Sequence, residues 1–207
     1  MKYHNYHKHT MYSNLRTLDC VTKPIDYINR AKELGHDTYF TTEHGWQGNL
    51  FEAQTLCEAN DIRCIYGTEA YYVDDITTET GRRAYHLILI AMNYAGRREI
   101  NSLLSKANTD GFYYKPRMDR EMVLSLTPEN VVVTTACLAG RLSGEDAEKE
   151  FLIPFKDHFK DHFFLEVQCH VNDDQKEYNK MIMEYHKKYN IPIIHANDSH
   201  YITAADS

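Results

Sequence analysis

"DDQKEYNKMIMEYHKKYNIPIIHANDSHY" (173–201) reads as a long helix over 173–190 followed by a strand over 191–201. An Asp-x-His pair, Asp198 and His200, stands just past the apolar part of that strand. The same alternation runs back through the chain. Residues 2–8 read as a strand. "KPIDYINRAKELG" (23–35) sets Ile25, Ile28, Ala31 and Leu34 at helical spacing and stops at Gly35. Residues 36–45 read as strand then loop, 49–61 as a helix, 62–73 as a strand with a Gly break, and 85–93 as a buried strand. A helix over 95–111 ends at Gly111. "NVVVTTACLAG" (130–140) is a strand running into a Gly-terminated loop, 145–160 a helix and 162–170 a strand. Seven strand candidates alternating with helices predict a parallel α/β architecture, either a barrel or a doubly wound sheet.

Composition narrows the class. The chain has 207 residues, 43% hydrophobic and 26% charged, which suits one domain over 1–207 with a sizeable core. No stretch reaches the roughly 20 apolar residues of a membrane span, and residues 1–10 show no signal-peptide pattern, so no membrane partner is expected. Cys20, Cys57, Cys64, Cys137 and Cys169 are scattered, with no Cys-x-x-Cys, which points to a reducing, cytoplasmic setting. The net charge of −7 is not the basic footprint of a nucleic-acid binder. Action on nucleic acid would need bound cations, or a neighbouring domain to hold the strand.

Residues that resist a bland reading fall just after strands. In "MKYHNYHKHT" (1–10), the period of a strand turns His7 and His9 to one face. Glu43, His44, Glu69, Cys137, Asp198 and His200 also follow or end strands, and in parallel α/β folds those loops carry the site. Asp19 lies in a loop that can swing back over this edge. His86 sits at the start of its strand, where the edge rule does not place it. Imidazole and carboxylate with one thiol suit zinc, manganese or iron. This many ligands exceeds one tetrahedral site, and a bridging carboxylate makes a cluster of two or three divalent ions the economical reading. Such clusters activate water near neutral pH and clamp phosphoryl oxygens, so phosphoester hydrolysis is the matching reaction. Glu43 is expected to orient a ligand histidine. "DGFYYKPRMDR" (110–120) sets Lys115, Arg117 and Arg120 beside Tyr113 and Tyr114. Lys115 and Arg117 are candidate phosphate binders and Tyr114 a base-stacking partner.

The segments "HKHTMYS" (7–13), "TTEHG" (41–45), "YGTEAYYV" (66–73), "HLILIAMN" (86–93), "GFYYKPRMD" (111–119), "ACLAG" (136–140), "FFLEVQ" (163–168) and "NDSHY" (197–201) carry a resemblance. In this order the chain resembles the PHP (polymerase and histidinol phosphatase) domain. Within that family it looks most like the N-terminal PHP domain of bacterial replicative DNA polymerase III alpha subunits. The resemblance implies a distorted (β/α)7 TIM-like barrel with a metal cluster at its C-terminal mouth. It implies nine ligands: His7, His9, Asp19, His44, Glu69, His86, Cys137, Asp198 and His200. All nine are ligand-competent here, which implies an active site. Two features depart from the family pattern: Glu43 stands where Asp is usual, and the loop from His9 to Asp19 is longer. The chain stops after "NDSHYITAADS", where a polymerase would continue, so an excised domain or a short stand-alone protein is expected. The implied activity is a proofreading-type 3′→5′ exonuclease with Asp198, His200 and Glu69 in catalytic roles. Its expected partners are single-stranded DNA 3′ ends and polymerase domains or replisome subunits. Two alternatives stay open: a small-molecule phosphate monoesterase of the histidinol-phosphatase type, and a non-catalytic, metal-stabilised structural domain.

Overall fold

Stretches of two to ten residues, mostly apolar, form the strands, and amphipathic segments between them pack on the outside. The structure, a computed structural model, describes residues 3–15, 18–78 and 84–206. The strands are β1 (Thr38–Thr41), β2 (Arg63–Tyr72), β3 (Tyr85–Ala91), β4 (Phe112–Tyr113), β5 (Lys115–Met118), β6 (Val131–Thr134), β7 (Phe163–Gln168) and β8 (Ile193–Ala196). The helices are α1 (Pro24–Glu33), α2 (Leu50–Ala59), α3 (Tyr94–Thr109), α4 (Arg120–Leu124), α5 (Ile153–Phe159) and α6 (Asp173–Tyr189). α1 begins at Pro24, whose missing N–H is no loss in a first turn, and Asp26 accepts the Lys23 N–H at 2.9 Å. The helix expected over 145–160 is a π-turn, Glu148–Leu152, running into α5. Pro154, which has no N–H to donate, stands at that junction.

The strand order is β4-β5-β2-β3-β6-β7-β8, with β1 also paired to β2. The sheet is mixed, which corrects the parallel expectation. β3 runs antiparallel to both β2 and β6, while β1/β2, β2/β5, β6/β7 and β7/β8 are parallel. No helix is found among the described residues linking β2 to β3, and a parallel crossover ordinarily needs one.

The strand expected over 2–8 is not one; Lys2 lies outside the described residues. The segment is extended but makes only a bridge, Lys8 to Ser199, with His9 N–H donating to Ser199 O at 2.8 Å and Ser199 N–H to His7 O at 3.2 Å. On its other side the Thr42 hydroxyl bonds Tyr6 O, Lys8 O and Lys8 N. Residues 6–9 thus lie between the end of β1 and the stretch after β8. Among the described residues the ladder is a curled open sheet and not a continuous ring.

β3 shows how the core is divided. Leu87 and Leu89 face outward into the large core with Phe151, Phe155, Phe159 and Phe163, beneath α3, α5 and α6. Ile88 and Ile90 face inward with Tyr6, Ala136 and Ala196. Both faces of β3 are therefore apolar, as a doubly covered strand requires. In register with Ile88 on that inner face is Glu69. The inner face is thus apolar at one end and polar at the other. No helix among the described residues is long and apolar enough to cross a membrane.

Candidate metal centre

The antiparallel course of β3 settles the placement of His86. Its first residues lie beside the last residues of β2, with His86 opposite Tyr71. The start of β3 and the end of β2 therefore meet at one edge of the sheet. His44 follows β1, Glu69 is in β2, Cys137 follows β6, and Asp198 and His200 follow β8. The alternation of residues 7–9 turns His7 and His9 to the same site. Lys8 points the other way, its Nζ 3.9 Å from the centroid of the Tyr39 ring.

Glu69 is the centre of the cluster. Its Oε1 lies 3.1 Å from His7 Nε2 and 2.9 Å from His86 Nδ1; its Oε2 lies 3.1 Å from His9 Nε2 and 2.8 Å from His44 Nδ1. Asp198 Oδ1 is 3.2 Å from Nε2 of both His7 and His9. Asp19 reaches back over the edge, its Oδ2 3.1 Å from His44 Nε2 and 3.3 Å from His200 Nε2. Cys137 Sγ is 3.6 Å from His86 Nδ1 and 3.8 Å from Glu69 Oε1. All nine residues that the resemblance implies as ligands come together here.

Close as they are, many of these atoms do not bond one another. His7 Nε2, His9 Nε2, His44 Nδ1, Glu69 Oε2 and Asp198 Oδ1 are buried with no hydrogen-bond partner among the described residues. Unpaired buried polar atoms are costly and call for an explanation. Here their lone pairs converge on shared space. Donor atoms of His9, His44 and His200, of His7, His9 and Glu69, and of His44, Glu69 and His86 each lie within 4.8 Å of one another. Such overlapping sets of imidazole and carboxylate fit divalent cations.

The outer atoms of the rings are fixed by partners. Glu166, fully buried in β7, sits 2.7 Å from His7 Nδ1 and is held by Tyr6 OH, Thr134 Oγ1 at 3.1 Å and Gln168 Nε2 at 2.7 Å. A carboxylate only accepts, so His7 carries its proton on Nδ1 and turns the Nε2 lone pair to the site. The Ser13 hydroxyl gives its one proton to Glu43 Oε2 at 2.5 Å, so His9 Nδ1, 2.9 Å away, must donate to it. His200 Nδ1 faces the Asp198 carbonyl at 3.0 Å. All three therefore offer Nε2 inward. Glu43 touches no histidine; it accepts from Thr10 N and Oγ1, Ser13 Oγ and Asn49 Nδ2, and acts on His9 through Ser13. Sequence reading missed Glu166 and Ser13. A lone acid inside the apolar "FFLEVQ" was the available signal for the first.

The electrostatics follow from burial and crowding. Burial alone would raise the Glu69 carboxyl, but His86, His7 and His44 hold it well below the usual range. Burial likewise opposes the Asp198 carboxylate, yet His7 and His9 keep its pKa low. Burial pulls the His44 imidazole down, but Glu69 and Asp19 outweigh it and push it up to about 10. His7 is raised well above its ordinary value against burial by Glu166, Asp198 and Glu69. Burial, with Glu69 and Asp198, raises the Cys137 thiol. The pattern is that of buried carboxylates demanding positive charge, which protons on the imidazoles or bound cations can supply.

Beside the cluster lies a cavity of about 600 Å³ whose wall includes Ser13, Asp19, His44, Trp46, Tyr71, Phe112, Tyr114 and Lys115. Lys115 Nζ is 4.2 Å from the centroid of the Tyr71 ring. Arg117 is placed differently. It is buried, and its guanidinium donates to Gly111 O at 3.0 Å and Ile76 O at 3.1 Å, which leaves it outside the cavity wall. Ala136, beside Cys137, Asp198 and Tyr114 all adopt φ between 51° and 59°. Asp61, Asp146, Lys160 and Asn190, which are not part of the cluster, share this left-handed backbone.

The PHP domain family pattern matches residues 5–170. DNA polymerase III subunit alpha of Treponema pallidum is 34% identical over 209 residues, covering 95% of this chain and 18% of the relative. That of Borreliella burgdorferi is 34% identical over 220 residues, covering 97% and 18%. The chain thus spans about a fifth of the length of these relatives. Among solved structures, a Bifidobacterium adolescentis protein assigned as a metal-dependent phosphoesterase superposes with a TM-score of 0.61 at 13% identity, covering 98% of this chain and 89% of that one. A two-domain Bacteroides vulgatus protein containing a PHP-like domain, assigned in the same way, gives 0.61 at 14% identity, covering 98% and 53%. At such identities these two structures speak for the fold alone, a mixed α/β fold with a curled sheet. With the family pattern spanning most of its length, the chain belongs to the PHP domain family.

Proposed function

We propose that this chain is a metal-dependent phosphoesterase domain, residues 1–207, that hydrolyses nucleic-acid phosphodiesters from the 3′ end as a proofreading-type 3′→5′ exonuclease within a larger polymerase. The observation that carries the proposal is the set of unpartnered inward-facing atoms around Glu69, set against a cavity that includes Lys115 and aromatic rings. His7, His9, Glu69 and Asp198 would hold one ion. His44, His86 and Cys137 would share Glu69 around a second, and Asp19 and His200 would complete the set. Bound ions supply acidified water and neutralise phosphoryl oxygens. Glu69 would belong to both sub-sites, because its two oxygens face different histidines. Lys115 offers a cation to the phosphate across the cavity. His200, whose side chain is 27% exposed and anchored through Nδ1, would turn its Nε2 lone pair to the cluster beside Asp19, so the proton for the leaving 3′ oxygen would come from solvent water. Asp198 would offer its Oδ1 to the same ion as His7 and His9.

One observation favours a second reading. The net charge of −7 suits a small phosphate monoester better than a polyanionic strand. Manganese-loaded protein should be assayed on 5′-labelled single-stranded DNA and on p-nitrophenyl phosphate, beside Glu69→Gln. The nuclease reading expects shortening of the strand from its 3′ end, reduced at least about 100-fold in the variant. Turnover of the monoester with the strand intact would establish the phosphatase instead. Metal binding with no turnover of either would establish a structural role.

A further inference from the structure

Three aromatic side chains stand open around the cavity beside the cluster. Trp46 is 37%, Phe112 53% and Tyr114 36% exposed, and all three line the same space. Single exposed aromatics are ordinary; a group lining one concave wall marks a binding surface. These rings come from distant parts of the chain: Trp46 from the loop after β1, Phe112 from β4, and Tyr114 from the turn between β4 and β5. Trp46 is also held in place. Its Nε1–H donates to Tyr12 O at 2.6 Å, and its six-membered ring lies over Gly48, where a Cβ would come within 2.4 Å of the ring carbons. A residue with any side chain at 48 would displace the indole. The wall that carries these rings also carries His44 and Asp19, so a molecule in the cavity abuts the metal-ligating residues directly.

We infer that this cavity is a nucleobase subsite: the base of the 3′-terminal nucleotide stacks against Trp46, Phe112 and Tyr114, while its phosphate lies between Lys115 and the cluster. The inference rests on the nuclease reading for the identity of the substrate. Its chemistry is a planar ring joined to an anionic phosphate. Aromatic walls accept any base by its π-face, so the subsite selects for the presence of a terminal base and not for its sequence. About 600 Å³ is in the range of pockets that enclose small ligands and leaves room for one nucleotide. Trp46 and Phe112 are thus specificity-determining residues that carry no metal-ligand role.

Trp46 is the sole tryptophan of the chain, so its fluorescence reports on the cavity directly. The full chain, with chelator present to prevent turnover, is titrated with deoxyadenosine 5′-monophosphate and, separately, with deoxyribose 5-phosphate. The subsite expects saturable quenching by the nucleotide, none by the sugar phosphate, and binding about tenfold weaker in Phe112→Ala, where the reporter is retained. In parallel, manganese-loaded wild type and Trp46→Ala are compared on strands with a normal and an abasic 3′ terminus, with Trp46→Phe as the conservative control. The expected result is a rise of about tenfold in KM for the normal terminus alone, restored by Trp46→Phe. Equal quenching by both ligands, or no quenching, would overturn the subsite. Strand degradation that ignores the terminal base would overturn it while leaving the nuclease reading intact. Base-dependent quenching without strand degradation would uphold the subsite and make a free nucleotide the substrate, against the nuclease reading.

Discussion

Glu166 illustrates control exerted on the site from one bond away. It touches no space where an ion would sit, yet it fixes the proton of His7 and is itself held by three side chains. Glu166→Gln keeps the volume but gives His7 an amide in place of a charge. The expected result is metal affinity about 10- to 100-fold lower with the fold retained, read by chelator competition alongside circular dichroism. Titration tests the same cluster. In metal-free protein His44 is raised from 6.5 to about 10, so its stabilising contribution is full below about 6.5 and fades as pH rises toward 10. Glu69 and Asp198 are depressed, so theirs is present above the ordinary carboxylate range and fades as pH falls through it. Stripped protein should therefore have its highest Tm in mildly acidic solution and lose stability between pH 6.5 and 10. Metal-loaded protein should do the reverse, losing stability below about pH 6.5 as protons displace ions. Parallel pH curves for the two forms would contradict the cluster. At this scale sequence was informative about donors, because His, Asp, Glu and Cys carry their chemistry in their names. It was silent on Ser13, whose role depends on which neighbour takes its single proton.

At the scale of the element, direction mattered more than existence. The apolar "YHLILIAMN" announces a strand, and β3 is there. Its direction is not encoded in a two-sided apolar run, so the edge rule for parallel sheets could not place His86. The opposite failure occurs at the N-terminus. Alternation of His7, Lys8 and His9 correctly separates the two histidines from the lysine. The segment itself is extended without a ladder, because Thr42 and Ser199 take its backbone groups. The loop after β6 shows how tightly an element can be fitted. A Cβ on Gly140 would lie 2.2 Å from Thr135 O and 2.9 Å from Cys137 O. Gly140→Ala must shift that loop, and with it Cys137. A loss of about 1–3 kcal/mol in denaturant unfolding is expected, with fewer ions retained per chain. Wild-type stability and metal content in that variant would contradict the assigned role of the loop.

On the scale of the whole molecule, the sheet curls so that one interior carries two kinds of residue. Ile88, Ile90 and Ala196 fill one end, and His7, His9, Glu69 and Asp198 gather at the other. The alternation of helices and strands made an α/β fold legible. The resemblance supplied the family, which the match over residues 5–170 bears out. What sequence pattern could not supply was the mixed sheet and the open ladder between β1 and β8, since both depend on pairing between segments far apart in the chain. A fold that gathers eight further side chains around Glu69, and leaves buried atoms of His7, His9, His44, Glu69 and Asp198 without a hydrogen-bond partner, is explained most simply by bound cations. The direct test is metal content by mass spectrometry on purified wild type and on the His7→Ala/His9→Ala double variant, each checked for folding. The expected result is two or three divalent ions per folded wild-type chain and a loss of at least one in the variant. Fewer than one ion per chain in wild type, unchanged in the variant, would contradict the metal centre.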